Sequence, residues 1–250
     1  MTTTATAVGK FVWHEQVSFD PGQAKDFYTG LFGWGTEVFK AEGMDYEMIN
    51  ANGQNHGGFG KAQEGAPPPH WLGHVQVEDV DATIEKAKSA GGKVAFGPVE
   101  MGEVGKFAII IDPQGAFVSV YQPEGEGAVA EGVFVWDELG TTDVDGAEKF
   151  YGEVFGWTAK DMGQDFGGYK VFEVGETGIA GVHALQDPTG SPRWIPYVGV
   201  EDADATAAKA SELGGTTTVE AMDIPTVGRI ALIKDPQGAV FGVIKPEPAS

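Results

Sequence analysis

Apolar positions along the chain keep two rhythms in turn. After Asp20 they recur as Ala24, Phe27, Tyr28, Leu31 and Phe32, the spacing of a helix that buries one face. Asp20 is an N-cap type, Pro21 suits a first turn, and Gly33 stops the helix as C-cap glycines do. Val12 to Phe19 reads as a strand leading in. Tyr46-Glu47-Met48-Ile49 alternates and Gly57-Gly58-Phe59-Gly60 follows, both strand-like with turn residues between. A second block repeats the logic. Leu72 to Val77 is a strand and Val80 to Ala90 a helix with an acidic start and Gly91-Gly92 at its end. Phe107 to Ile111 and Ala116 to Tyr121 are strands around the turn Asp112-Pro113-Gln114-Gly115.

The whole pattern then recurs at one offset of 123 residues, which carries Trp13 onto Trp136. Trp13-x-Glu15 falls on Trp136-x-Glu138, and Phe32-Gly33-Trp34 on Phe155-Gly156-Trp157. Pro69-x-Trp71 falls on Pro192-x-Trp194, and Asp112-Pro113-Gln114-Gly115-Ala116 on Asp235-Pro236-Gln237-Gly238-Ala239. A gapless register through so many landmarks means an internal duplication. The copies are residues 10–124 and 133–247, with a linker at 125–132 and flexible tails expected at 1–9 and 248–250. Each copy holds two strand–helix–strands units.

Composition narrows the function classes. An apolar fraction of 42% suits a globular chain with a real core. No apolar run approaches the roughly 18 residues that span a membrane, and the N-terminus lacks a signal-peptide pattern. Zero cysteines remove disulfides, thiol nucleophiles and thiolate metal sites. A cytoplasmic location is expected. The net charge of −21 repels phosphate backbones and anionic lipid, so neither nucleic acid nor a membrane is an expected partner. The expected partner is a small molecule, bound by a monomer of two modules or a homodimer.

The strand into Asp followed by "FY…LFGW", the "V-x-D-x-D-A" helix start and the "D-P-x-G" turn resemble the vicinal oxygen chelate superfamily. That superfamily includes glyoxalase I, bleomycin- and fosfomycin-resistance proteins and extradiol dioxygenases. The Trp-x-Glu opening and tandem length are similar to actinobacterial proteins labelled glyoxalase-like or "hydroxylase", a mycobacterial antigen among them. The resemblance implies an α+β fold of two tandem glyoxalase/bleomycin-resistance modules, four βαβββ units forming paired open barrels. Function would sit in the cavities that paired units enclose.

The resemblance also implies a divalent ion held by His, Gln and Glu. Its usual ligand positions, seven residues before each helix-starting Asp and seven after the Asp of D-P-x-G, hold Trp13, Leu72 and Ser119 in one copy. In the other they hold Trp136, Ile195 and Gly242. None of these is a strong ligand, so no metal or other cofactor is expected. The histidines do not replace the site. His14 turns to the opposite strand face, and His70 and His74 would stand about 13 Å apart in extended chain. His56 and His183 have no carboxylate near them in sequence and read as exposed or locally bonded.

Strand alternation puts Trp13 with Glu15, and Trp136 with Glu138, on the face that would carry ligands. The tryptophans offer flat platforms for a planar molecule. The carboxylates could bind a cation, act as general bases, or simply bond backbone amides or a basic side chain. His74 and Tyr197 share that face, two residues beyond a ligand position, and His74 is the best general acid/base candidate. Glu15, Glu138 and His74 are thus the candidate catalytic groups. Trp13, Trp136, Tyr197 and Ser119 are candidate substrate-binding groups, with Trp71 and Trp194 either rimming the cavities from exposed loops or stapling the modules. Three readings follow: a metal-free pocket protein for a planar or aromatic metabolite or drug, a glyoxalase- or hydroxylase-type enzyme with an unconventional site, or a non-catalytic interaction or antigen-like protein.

Overall fold

The computed structural model describes residues 7–41, 44–63, 65–125, 132–163 and 166–247. Four βαβββ units follow one another. The first is β1 (Phe11–Ser18), α1 (Pro21–Phe32), β2 (Gly35–Ala41), β3 (Met44–Ala51) and β4 (Gln54–Lys61). The second is β5 (His70–Gln76), α2 (Val80–Ser89), β6 (Lys93–Glu100), β7 (Gly105–Ile111) and β8 (Phe117–Pro123). The third is β9 (Phe134–Thr141), α3 (Val144–Phe155), β10 (Thr158–Asp161), β11 (Lys170–Val174) and β12 (Thr177–Ala184). The fourth is β13 (Arg193–Gly199), α4 (Ala203–Glu212), β14 (Thr216–Ile224), β15 (Gly228–Lys234) and β16 (Val240–Pro246). Each repeat therefore forms an eight-stranded mixed sheet, ordered β2-β3-β4-β1-β5-β8-β7-β6 and β10-β11-β12-β9-β13-β16-β15-β14. Neither sheet closes.

The helix ends follow from local chemistry. The side chains of Asp20, Asp79, Asp143 and Asp202 accept from the backbone N–H three residues on, satisfying a donor that a helix start leaves open. Gly33 and Gly156 end α1 and α3 with φ of 72° and 73°, the left-handed conformation that glycine adopts without cost. The edge strands β2, β6 and β10 carry no clear alternation and were not legible as strands.

Compactness does not follow the repeat boundaries. Among the described residues, one compact unit is drawn from the spans 1–13, 73–129 and 136–194, the second half of one repeat with the first half of the next. The other is drawn from the spans 14–72, 130–135 and 195–250. In the first unit, α2 and α3 share a core that includes Val80, Ile84, Phe150, Tyr151, Trp157 and Trp194. In the second, α1 and α4 share one that includes Phe27, Tyr28, Trp71, Ala207 and Phe241.

Each core contains a buried polar chain. Trp194 Nε1 donates to the Tyr151 hydroxyl at 2.9 Å, and that hydroxyl donates to Asp112 Oδ2 at 3.0 Å. The other oxygen of Asp112 accepts the backbone N–H groups of Gln114, Gly115 and Ala116. Trp71, Tyr28 and Asp235 repeat the chain, and Gln16 Nε2 adds a further bond to Asp235 Oδ2. The D-P-Q-G aspartate of one repeat thus anchors the helix tyrosine of the other. Burial pushes both aspartates above the usual carboxylate range, against the lowering pull of these donors.

Two expectations change here. Trp71 and Trp194 are not exposed loop aromatics at a cavity rim. They lie in β5 and β13, only 3% and 4% exposed, because their N–H groups are claimed by the helix tyrosines. Ala7 to Gly9 are not a free tail either: Ala7 is buried, Gly9 donates to Gln76, and its carbonyl accepts from Trp157 Nε1. Residues 1–6, the core of the expected linker and the C-terminal tail lie outside the described residues.

Candidate functional site

The strand β9 presents two unlike faces. Leu139 enters the core beside Tyr151, so Trp136 and Glu138 project from the opposite side. β9 pairs in parallel with β12, which sets Glu138 opposite Gly181 and Gly140 opposite His183. Tyr169 enters β11 from the same side, and its ring lies over Gly181, where a Cβ would overlap the hydroxyl. Glycine is required there for a steric reason: the tyrosine must cross the strand to reach the glutamate.

These residues form one hydrogen-bonded chain within a single compact unit. Trp136 Nε1 donates to the Tyr169 hydroxyl at 3.0 Å. The hydroxyl donates to Glu138 Oε2, also at 3.0 Å. The other carboxylate oxygen, Oε1, lies 3.3 Å from His183 Nε2. His183 Nδ1 lies 2.8 Å from the Ala184 carbonyl. A carbonyl only accepts, so Nδ1 carries hydrogen, and a bond from Nε2 to the carboxylate requires a second proton. When His183 is protonated the pair is glutamate with imidazolium. The Glu138 contact holds the His183 pKa above its ordinary value despite partial burial. Burial next to Glu138 drives the Tyr169 hydroxyl far above its ordinary value, keeping it a neutral donor. Glu138 and His183 retain 16% and 31% side-chain exposure, so solvent reaches the pair.

The first repeat varies the theme. Glu15 stands opposite Gly58 in the β1–β4 pairing, and Tyr46 lies over Gly58 as Tyr169 lies over Gly181. Gly60 replaces His183, and the Glu15 carboxylate occupies the space that a Cβ there would need. A histidine arrives from another strand. His70 on β5 is near enough to feel the Glu15 charge, while its Nδ1 bonds the Pro68 carbonyl at 2.9 Å. Burial outweighs that charge and lowers the His70 pKa.

The other candidates fall elsewhere. His74 is buried on β5, paired in register with Ser119, and its ring lies 6.3 Å from that of Phe107. Ser119 is fully buried, with its hydroxyl 3.3 Å from the Ala108 carbonyl. Tyr197 is buried with its ring over Gly242. His14 stacks on Phe134 on the far face of β1, and His56 bonds the Ala51 carbonyl. His183 corrects the expectation of a histidine without a carboxylate: parallel pairing of β9 and β12 supplies Glu138, far away in sequence. Tyr46 and Tyr169 were missed as well. They match at the repeat offset, and the glycines opposite both glutamates were the further signal.

The six positions where a divalent ion would be held do not fit one. Leu72 and Ile195 are buried and apolar. Gly242 has no side chain, Trp136 spends its N–H on Tyr169, and an indole or an aliphatic hydroxyl is no strong ligand. Among the described residues, no group of three or more His, Asp or Glu is placed to hold a metal. Among them, too, no helix is long and apolar enough to cross a membrane.

Four βαβββ units in tandem, with a Trp-x-Glu pair on the first strand of each repeat, define the class. The chain belongs to the Glyoxalase/Bleomycin resistance protein/Dioxygenase superfamily, whose sequence model matches residues 10–120 and again 133–243. Among its relatives, "Putative glyoxylase CFP32" of Mycobacterium tuberculosis is 39% identical over 249 residues, covering 94% of each chain. "Anthracycline biosynthesis protein DnrV" of Streptomyces peucetius is 32% identical over 263 residues, covering 97% of this chain and 95% of that one. Among solved structures, the Mn(II)-bound glyoxalase from Novosphingobium aromaticivorans aligns with a TM-score of 0.65 at 17% identity, covering 95% of this chain and 82% of its own. The 2,3-dioxygenase LapB from Pseudomonas sp. KL28 aligns with a TM-score of 0.64 at 13% identity, covering 97% of this chain and 95% of its own. At those identities the likeness is one of fold.

Proposed function

We propose that the chain is a metal-free member of its superfamily that binds a small planar, aromatic molecule on the Trp-x-Glu face of β9, in the cytoplasm. The observation that carries this reading is the chain Trp136–Tyr169–Glu138. Trp136, at a position where the resemblance implies a metal ligand, is tied to the Tyr169 phenol and the Glu138 carboxylate by hydrogen bonds of 3.0 Å. Rings held this way lose little entropy on binding and present flat apolar faces. The carboxylate supplies the polar contact that fixes a ligand's orientation. A relative is named for anthracycline biosynthesis, and anthracyclines carry fused planar rings, which supports the same ligand class. The formal net charge of −21 disfavours nucleic acid and anionic membranes as partners.

Intrinsic fluorescence of the purified protein, together with its metal content, tests the reading. A series of fused three-ring aromatics is expected to quench emission saturably in protein treated with chelator. Trp136→Ala is expected to weaken binding by about tenfold, the loss of a stacking contact near the upper end of about 0.5–1.5 kcal/mol. A stoichiometric metal whose removal abolishes binding would overturn the proposal, as would unchanged binding by Trp136→Ala.

A further inference from the structure

The His183–Glu138 pair is more than a local bond, because it stores a proton whose loss leaves a defined second state. His183 Nδ1–H stays on the Ala184 carbonyl, 2.8 Å away, so a neutral His183 can only be the Nδ1–H tautomer. Its Nε2 then carries a lone pair aimed at Glu138 Oε1, across a gap of 3.3 Å. Two acceptors would face each other. A group with several N–H donors and a positive charge satisfies both at once, and the Trp136 and Tyr169 rings beside it favour a cation further.

We infer that the second repeat takes a planar aromatic ligand bearing a cationic nitrogen, and that this nitrogen replaces the His183 proton as the partner of Glu138. The step balances: His183 Nε2 loses one proton to solvent, and the ligand cation donates hydrogen bonds to Nε2 and to Oε1. No charge is gained or lost at the site. Glu138 keeps its bond from Tyr169 throughout, so the carboxylate is held in place while its partner changes. The contact that is exchanged is the longest in the chain and leads to His183, which is more exposed than Glu138. The inference rests on the aromatic-ligand reading and adds charge to it.

The groups around His183 leave Glu138 as the controlling charge. His183 is the only titratable residue of β12. On β9, Asp137 lies on the opposite face from Glu138. On the β11 side stand Tyr169, which is neutral, Glu173, and Lys170, which is held by Asp145 and Glu148. In the first repeat Gly60 stands in place of His183 and the histidine near Glu15 is His70 of β5, so the inference is confined to the second repeat.

The test compares 9-aminoacridine, a planar cation, with acridone, a neutral molecule of the same three-ring size. Binding is measured by isothermal titration near pH 6.5 in two buffers of different ionisation enthalpy. The cation is expected to bind at least about tenfold more tightly, the size of one partly desolvated cation–carboxylate contact. Its binding should release close to one proton, and its affinity should rise with pH by up to about tenfold per unit until His183 is neutral. Glu138→Gln should bring the two probes within about twofold while keeping the fold by circular dichroism. His183→Gln should still prefer the cation but release no proton. Equal binding of both probes, or no proton release by the wild-type protein, overturns this inference and leaves the aromatic pocket standing. If neither probe binds, the aromatic-ligand reading itself fails.

Discussion

His183 and His70 show how much a single side chain's surroundings decide. Both histidines that meet a strand glutamate fix Nδ1 on a backbone carbonyl, yet His183 is raised by its hydrogen bond to Glu138 whereas His70 is lowered by burial. The stability consequences are opposite in sign. For His183 the folded pKa lies above the unfolded value of about 6.5, so its contribution is full below that pH and is lost as pH rises through the folded value. For His70 the folded value lies lower, so its contribution is full above about 6.5 and is lost as pH falls. An NMR titration of the ring protons should therefore place the two midpoints on opposite sides of about 6.5. Glu138→Gln should bring the His183 midpoint down and leave that of His70 in place. Midpoints on the same side would defeat this account. The sequence made the Trp-x-Glu pair legible because alternation on one strand needs no tertiary knowledge. His183 was illegible because its partner comes from a strand pairing that closes over many residues.

Strand pairs and helix-to-turn contacts are where the duplication becomes structural. Gly181→Ala sets a methyl where the Tyr169 hydroxyl lies, so the ring must leave Glu138. The expected outcome is a folded protein whose tryptophan emission shifts, since Trp136 Nε1 loses its acceptor; an unchanged spectrum would contradict the packing. The buried Tyr–Asp chains offer a graded test. Tyr151→Phe leaves the Trp194 N–H and one Asp112 oxygen without that partner in the core, a cost of about 1–3 kcal/mol. Tyr28→Phe should cost less, because Asp235 keeps the bond from Gln16, whereas Leu139 stands at the matching place in the other repeat. Urea midpoints of the two variants give the order, and the reverse order would refute the argument. Helices and caps were legible from spacing and from Asp and Gly. The Pro-x-Trp segments read as loops because proline dominates their local signal, while the tertiary demand of a helix tyrosine draws each tryptophan into a strand.

At the scale of the whole chain, each compact unit takes half its residues from each repeat, so neither repeat owns a complete core. Val80 and Ile84 of the first repeat pack with Phe150 and Tyr151 of the second. Phe27 and Tyr28 of the first pack with Ala207 and Phe241 of the second. The anchoring aspartates cross in the same way, Asp112 to Tyr151 and Asp235 to Tyr28. A fragment of residues 1–125 therefore carries two half-cores whose apolar faces have lost their partners. Exposing them costs about 25 cal/mol for each Å² of apolar surface, far more than a domain's net stability allows over two such faces. The sequence offset alone marked two copies, because a repeat period reports ancestry and carries no information on which halves fold together. The fragments 1–125 and 126–250, made separately, should fail to unfold cooperatively as monomers. Mixed, they should recover the circular dichroism and cooperative transition of the intact chain. A fragment that folds only as a homodimer is consistent with the same logic, since a second copy supplies a similar helix face. A monomeric, cooperatively folding 1–125 would show instead that the repeat is the folding unit.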